Sequence, residues 1–92
     1  MMKARKKPIV IDVWQVRPNV VLAFYAPTWV FEAFLKGTFE YNASGNKSIV
    51  HTLEGDMTAH VGDYLAKGID GELYPIAKDI FERTYDVIDG DE

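Results

Sequence analysis

Glycines at positions 55, 62, 68 and 71 cut the middle of this chain into pieces too short to hold a crossover helix. Parallel neighbours need such a crossover, whereas antiparallel strands can be joined by two residues. Most strand connections here are therefore expected to be turns, and the sheet antiparallel. The segments between the glycines alternate as strands do. Met57, Ala59 and Val61 are expected on one face, with Thr58 and His60 on the other. Glu54-Gly55-Asp56 reads as a tight turn, and Gly62-Asp63 as a bulge or corner. Residues 64–67 and 72–76 read as a β-hairpin around Gly68-Ile69-Asp70-Gly71.

The rest of the chain supplies two helices and more short strands. Residues 8–16 alternate as a first strand, with Ile9, Ile11 and Val13 on one side and Val10, Asp12, Trp14 and Val16 on the other. Arg17-Pro18-Asn19 breaks it, and the apolar run 20–25 has no period that separates strand from helix. Thr28 is the expected N-cap of a helix with an apolar stripe of Val30, Phe31, Phe34 and Leu35. Gly37 is its expected stop, since a residue without Cβ enters the left-handed conformation cheaply. Residues 38–41 and 47–53 read as antiparallel strands around a turn at 42–46. Residues 78–83 form a short helix expected to bury Ile80 and Phe81, and 85–88 a closing strand.

These elements predict one α+β domain over residues 1–92, with a basic arm at 1–7 and a flexible acidic tail at 89–92. Its expected form is a mainly antiparallel sheet of five to six strands, one helix packed on it and a short C-terminal helix. Trp29, Phe31, Phe34 and Phe81 are the aromatics expected in the core.

Charge and composition exclude several functions. The net charge is −4, yet Lys3, Arg5, Lys6 and Lys7 crowd the N-terminus, so acidic residues dominate the remainder. Such a body repels a phosphate backbone, which leaves nucleic acid an unlikely partner apart from contacts of the arm. There is no cysteine, so neither disulfides nor thiolate metal sites support the fold. No apolar run approaches the roughly 18 residues of a membrane span, and the short basic-apolar start does not read as a signal peptide. A cytoplasmic protein is expected, and a homodimer would be one way to stabilise so small a domain.

The chain resembles a family of small uncharacterised bacteriophage and prophage proteins, the PGDYG-type proteins. The resemblance rests on Arg5-Lys6-Lys7-Pro8-Ile9-Val10, Gly37-Thr38, Thr52-Leu53-Glu54-Gly55 and Gly62-Asp63-Tyr64. It continues through Gly68, Gly71-Glu72, Tyr74-Pro75, Asp79-Ile80-Phe81-Glu82 and Thr84-Tyr85. Val61 and Leu65 stand where the central motif has Pro and Gly, swaps that a backbone corner tolerates better than a reaction site. The resemblance implies a phage-encoded protein and brings no established activity with it.

Candidate chemistry is sparse. His51, Glu54, Asp56 and His60 lie close in sequence, but no HExxH-type spacing sets two ligands on one face, so no metal or cofactor is expected. Asp63 and Glu72 are the carboxylates a hydrolase would use. Their other reading is turn chemistry, with Asp63 bonding backbone amides and Glu72 pairing with Lys67 across the hairpin. Tyr64, Lys67, Glu72, Tyr74 and Lys78 gather in sequence around the hairpin and the last helix, as a surface for a partner. The expected role is a non-enzymatic accessory protein acting on a host or phage protein. The alternative is a binder of a nucleotide or other small anion, with Lys67, Lys78 and the tyrosines as its parts.

Overall fold

The computed structural model describes residues 1–18, 26–42 and 44–88. These contain β1 (Asp12–Gln15), α1 (Thr28–Lys36), β2 (Phe39–Tyr41), β3 (Lys47–Thr52), β4 (Gly55–His60), β5 (Tyr64–Lys67), β6 (Leu73–Ile76) and α2 (Lys78–Thr84). The apolar run 20–25, Ala43 and the acidic tail 89–92 lie outside the described residues.

The fold is α+β with antiparallel pairing, but the strands form two sheets of three rather than one sheet carrying a helix. The middle strands make a meander, β2-β3-β4. The N-terminal strand instead pairs with β5, giving β1-β5-β6, with Trp14 opposite Leu65 and Val13 opposite Ala66. This long-range pairing splits the expected single sheet.

Because side chains alternate across a strand, the β1-β5-β6 sheet has two working faces. Trp14, Val16, Leu65 and Leu73 meet Val30 and Ala33 of α1 and Phe39, Val50 and Ala59 of the second sheet in the main core. On the other face, Ala66 and Ile76 meet Phe81 of α2, with Ile11, Val13, Tyr64, Tyr74 and Tyr85 packed around them. The sheet thus lies between α2 on one side and the second sheet with α1 on the other.

Several local expectations change for reasons of packing. The first strand is limited to Asp12–Gln15 because β5 offers only four partners; Ile9 and Val10 are 48% and 73% exposed. Residues 85–88 form no strand, and Tyr85 turns inward onto Phe81 instead. The turn after β3 is Leu53-Glu54, one position earlier than expected, so Gly55 and Asp56 already belong to β4. Helix α1 buries Val30, as expected, together with Ala33, and leaves the rest of the expected stripe, Phe31, Phe34 and Leu35, exposed. Trp14 and Phe39 take the core positions assigned to Phe31 and Phe34, their rings meeting edge to face at 6.0 Å. Trp29 is partly buried, while Ile80, Met57 and Val61 are exposed.

Gly37 ends α1 as expected, at φ 79°, with its N–H and that of Thr38 bonded to the carbonyls of Phe34 and Ala33. That is the hydrogen-bond closure of a left-handed C-terminal cap.

Tyr41 closes the core at the end of β2. Its ring packs on Phe39 at 5.2 Å, and its hydroxyl donates to the Arg17 carbonyl at 2.6 Å. Burial pushes its phenol from 10.0 up to about 12. The raised value means that the folded chain holds this proton longer than the unfolded chain does. Stability from Tyr41 is therefore complete below pH 10 and declines as pH rises towards 12. Urea midpoints measured across that window should fall more steeply for the parent than for Tyr41→Phe. Equal slopes would exclude this coupling.

Candidate functional site

The six residues expected to form a partner surface are divided between structural and solvent-facing roles. Asp63 sits in the corner between β4 and β5, which Gly62 enters at φ 101°. The Asp63 carboxylate accepts the His60 N–H through Oδ2 at 2.9 Å and the Lys78 N–H through Oδ1 at 3.0 Å. Lys78 is the first residue of α2, so Asp63 caps that helix from a distance. The backbone of the same corner is tied to the end of β1. The Val16 N–H donates to the Asp63 carbonyl at 2.7 Å, and the Gly62 N–H donates to the Val16 carbonyl at 2.9 Å. Both carboxylate oxygens are occupied by the fold, which is the backbone-amide role foreseen for Asp63.

Tyr64 and Tyr74 belong to the second core. Tyr64 stacks on Phe81 with centroids 3.8 Å apart, and Phe81 stacks on Tyr85 at 5.1 Å. Lys6 completes this column, its Nζ 5.4 Å from the Tyr85 ring centre and 3.2 Å from the Tyr85 hydroxyl. The basic arm is thereby docked at one point on Tyr85, the residue that follows the C-terminal helix. Tyr74 lies opposite Ala66, and burial is the main cause that raises its phenol above the ordinary value. Lys78 faces solvent and pairs with Glu82 one turn later at 2.9 Å.

Lys67 and Glu72 face the other way. They line a cleft of about 270 Å³ between α1 and the β5–β6 hairpin, bounded also by the β3–β4 turn. Trp29, Glu32 and Lys36 line it from the helix, and Leu73 forms part of the opposite wall. Glu72 does not pair with Lys67. Its Oε1 accepts the Asp70 N–H at 3.1 Å, and the carboxylate lies over Gly68, where a Cβ would have to displace it. The sequence clustering of Lys67 with the tyrosines and Lys78 therefore does not survive folding: alternation puts them on opposite faces of one sheet. The cleft residues of α1 carried no sequence signal, because Trp29 read as core and Glu32 and Lys36 belong to no motif.

His51, in β3, also lines the cleft. Its Nδ1 lies 2.6 Å from Asp56 Oδ1, and its Nε2 contacts Glu40 Oε2. Glu54 and His60 are not part of this cluster, and among the described residues no group of three or more His, Asp or Glu side chains is placed to hold a metal ion. With both ring nitrogens engaged by carboxylates, His51 has no free base nitrogen. Glu40 first, then Asp56, raises its pKa above the usual 6.5. The sign follows from the raised value: its contribution is complete below pH 6.5 and lost as pH rises through the folded-state pKa. An NMR titration of the His51 ring should give a midpoint above 6.5, lowered more by Glu40→Gln than by Asp56→Asn. A midpoint at or below the ordinary value would show that these contacts do not hold in solution.

The Trp29 indole N–H is buried and has no hydrogen-bond partner among the described residues.

No protein-family model matches this chain, and no curated protein or solved structure is significantly similar to it.

Proposed function

We propose that this chain is a small non-enzymatic binding protein that engages another protein through the outer face of α1. The observation that carries this reading is the exposure of Phe31, Phe34 and Leu35 on a helix already anchored by Val30 and Ala33. Their i, i+3, i+4 spacing makes one continuous apolar ridge. A helix buried on one face only would carry polar residues here, and rigid aromatic side chains are common anchors of protein interfaces. The earlier surface of Asp63, Tyr64, Lys67, Glu72, Tyr74 and Lys78 gives way to this ridge, because folding separates those residues.

The partner is a host or phage protein, and the site of action the bacterial cytoplasm. Support for that context is the resemblance of the Gly62-Asp63-Tyr64 region and its flanks to phage PGDYG-type proteins. No helix among the described residues is long and apolar enough to cross a membrane. The hydrolase alternative loses its support, since Asp63 and Glu72 are both committed to backbone amides. A nucleotide pocket built from Lys67, Lys78 and the tyrosines likewise lacks a common face.

Affinity capture from bacterial lysate, read by native mass spectrometry, tests the ridge. The parent protein should retain a protein that a Phe31→Ser/Phe34→Ser variant of equal stability releases. Equal retention by both chains, or retention of no protein at all, overturns the reading.

A further inference from the structure

The cleft between α1 and the β5–β6 hairpin is independent of the α1 ridge, and its charges are incompletely matched. Lys67 is the single lysine of the chain that is not exposed. It has no carboxylate within 4.0 Å among the described residues, although Asp12 stands directly opposite it in the β1–β5 register. Glu72, the acid nearest in sequence, is held by the Asp70 amide instead. Lys36 repeats the pattern: Glu32 is four residues away on the same helix, yet the two form no ion pair. The cleft thus presents two ammonium groups, a half-buried Lys67 and an exposed Lys36, with no carboxylate in contact with either among the described residues.

We propose that this cleft binds a small organic monocarboxylate with an apolar, planar body. Lys67 and Lys36 hold the carboxylate, while Trp29 and Leu73 receive the body. Both lysines line the cleft together with an indole ring and a leucine, alongside Glu32, His51 and Glu72, which is the mixed chemistry of a small-molecule site. The volume, about 270 Å³, falls just below the roughly 300–1,000 Å³ of drug-sized sites and so suits a small ligand. Glu32 and Glu72 share the lining with the two lysines, and together with the net charge of −4 they work against phosphates and other polyanions and favour a ligand with a single negative charge.

The test is a titration of the ¹⁵N-labelled full chain with phenylacetate and indole-3-acetate, their neutral amides, and inorganic phosphate. Each acid should shift the amides of Lys67 and Leu73 and the Trp29 indole signal, with the neutral amides binding about tenfold or more weakly. Lys67→Gln and Lys36→Gln should each weaken the acids by a similar factor. Lys36 lies on an exposed helix surface, so its variant carries the test if Lys67→Gln does not fold. Phe31→Ser/Phe34→Ser should leave the titration unchanged, which separates this site from the ridge. The proposal is overturned if no acid binds at millimolar concentration. It is equally overturned if acids and amides bind alike, if phosphate alone gives the same shifts, or if the Lys36 variant titrates as the parent does.

Discussion

Replacing Phe81 by alanine is expected to remove about 3–5 kcal/mol of stability, the usual cost of deleting a buried aromatic ring. That is a large share of the roughly 5–15 kcal/mol available to a domain of this size. Phe81 is 3% exposed and forms the middle plate of the Tyr64–Phe81–Tyr85 column. It is also the buried residue by which α2 holds the sheet. Its removal therefore leaves a cavity, breaks two ring pairs and releases the docking point of Lys6 through Tyr85. Trp14 and Trp29 both belong to the main core, on the opposite face of the sheet. Urea unfolding followed by tryptophan fluorescence reports the main core, and amide exchange of residues 78–84 reports α2. If α2 undocks before the rest unfolds, exchange there will accelerate while the fluorescence midpoint moves less. A loss below about 1 kcal/mol by both probes would mean that the aromatic column is not a supporting element.

Asp63→Ala is the second large effect, expected to cost about 2–3 kcal/mol. Charge-assisted bonds to backbone amides are stronger than neutral ones, and loss of a helix cap alone costs about 1 kcal/mol. Here one carboxylate satisfies the His60 and Lys78 amides, joining the β4–β5 corner to the start of α2. Asp63→Asn keeps one acceptor oxygen and should lose about half as much. The comparison separates a structural acid from a reactive one, because a reactive acid can become Asn without loss of stability. Urea midpoints for the Asn variant within about 0.5 kcal/mol of the parent would return Asp63 to the list of candidate catalytic groups.

Both predictions concern residues whose importance was partly visible in the chain. Phe81 stood out as an apolar residue of a short helix, and Asp63 as an acid next to a glycine corner. The stack on Phe81 was not visible, since it needs Tyr64 from β5 and Tyr85 from beyond α2. Nor was the distance over which Asp63 acts, because it reaches Lys78 across the whole β5–β6 hairpin. The Tyr64–Lys78 cluster failed as a surface for the same reason: neighbours in sequence alternate between the two faces of a sheet.

Helix α1 shows a different limit. Its sequence carries apolar residues at 29, 30, 31, 33, 34 and 35, so a 3.6-residue period has no single best face. Packing chose Val30 and Ala33, which let the helix approach the sheets closely, and left the bulkier Phe31 and Phe34 outside. The proposed binding ridge exists only because of that choice.

Local geometry was settled by the chain itself: the stop at Gly37, the corner at Gly62, the hairpin closed by Gly68–Gly71 and the extent of α2. Each depends on conformational freedom and hydrogen bonds within a few residues. The partner of β1, the division into two sheets, the buried face of α1 and the cleft with its unpaired lysines were settled only by the tertiary structure. Each of these depends on contacts between distant segments competing for the same apolar surface, and no local pattern encodes the outcome of that competition.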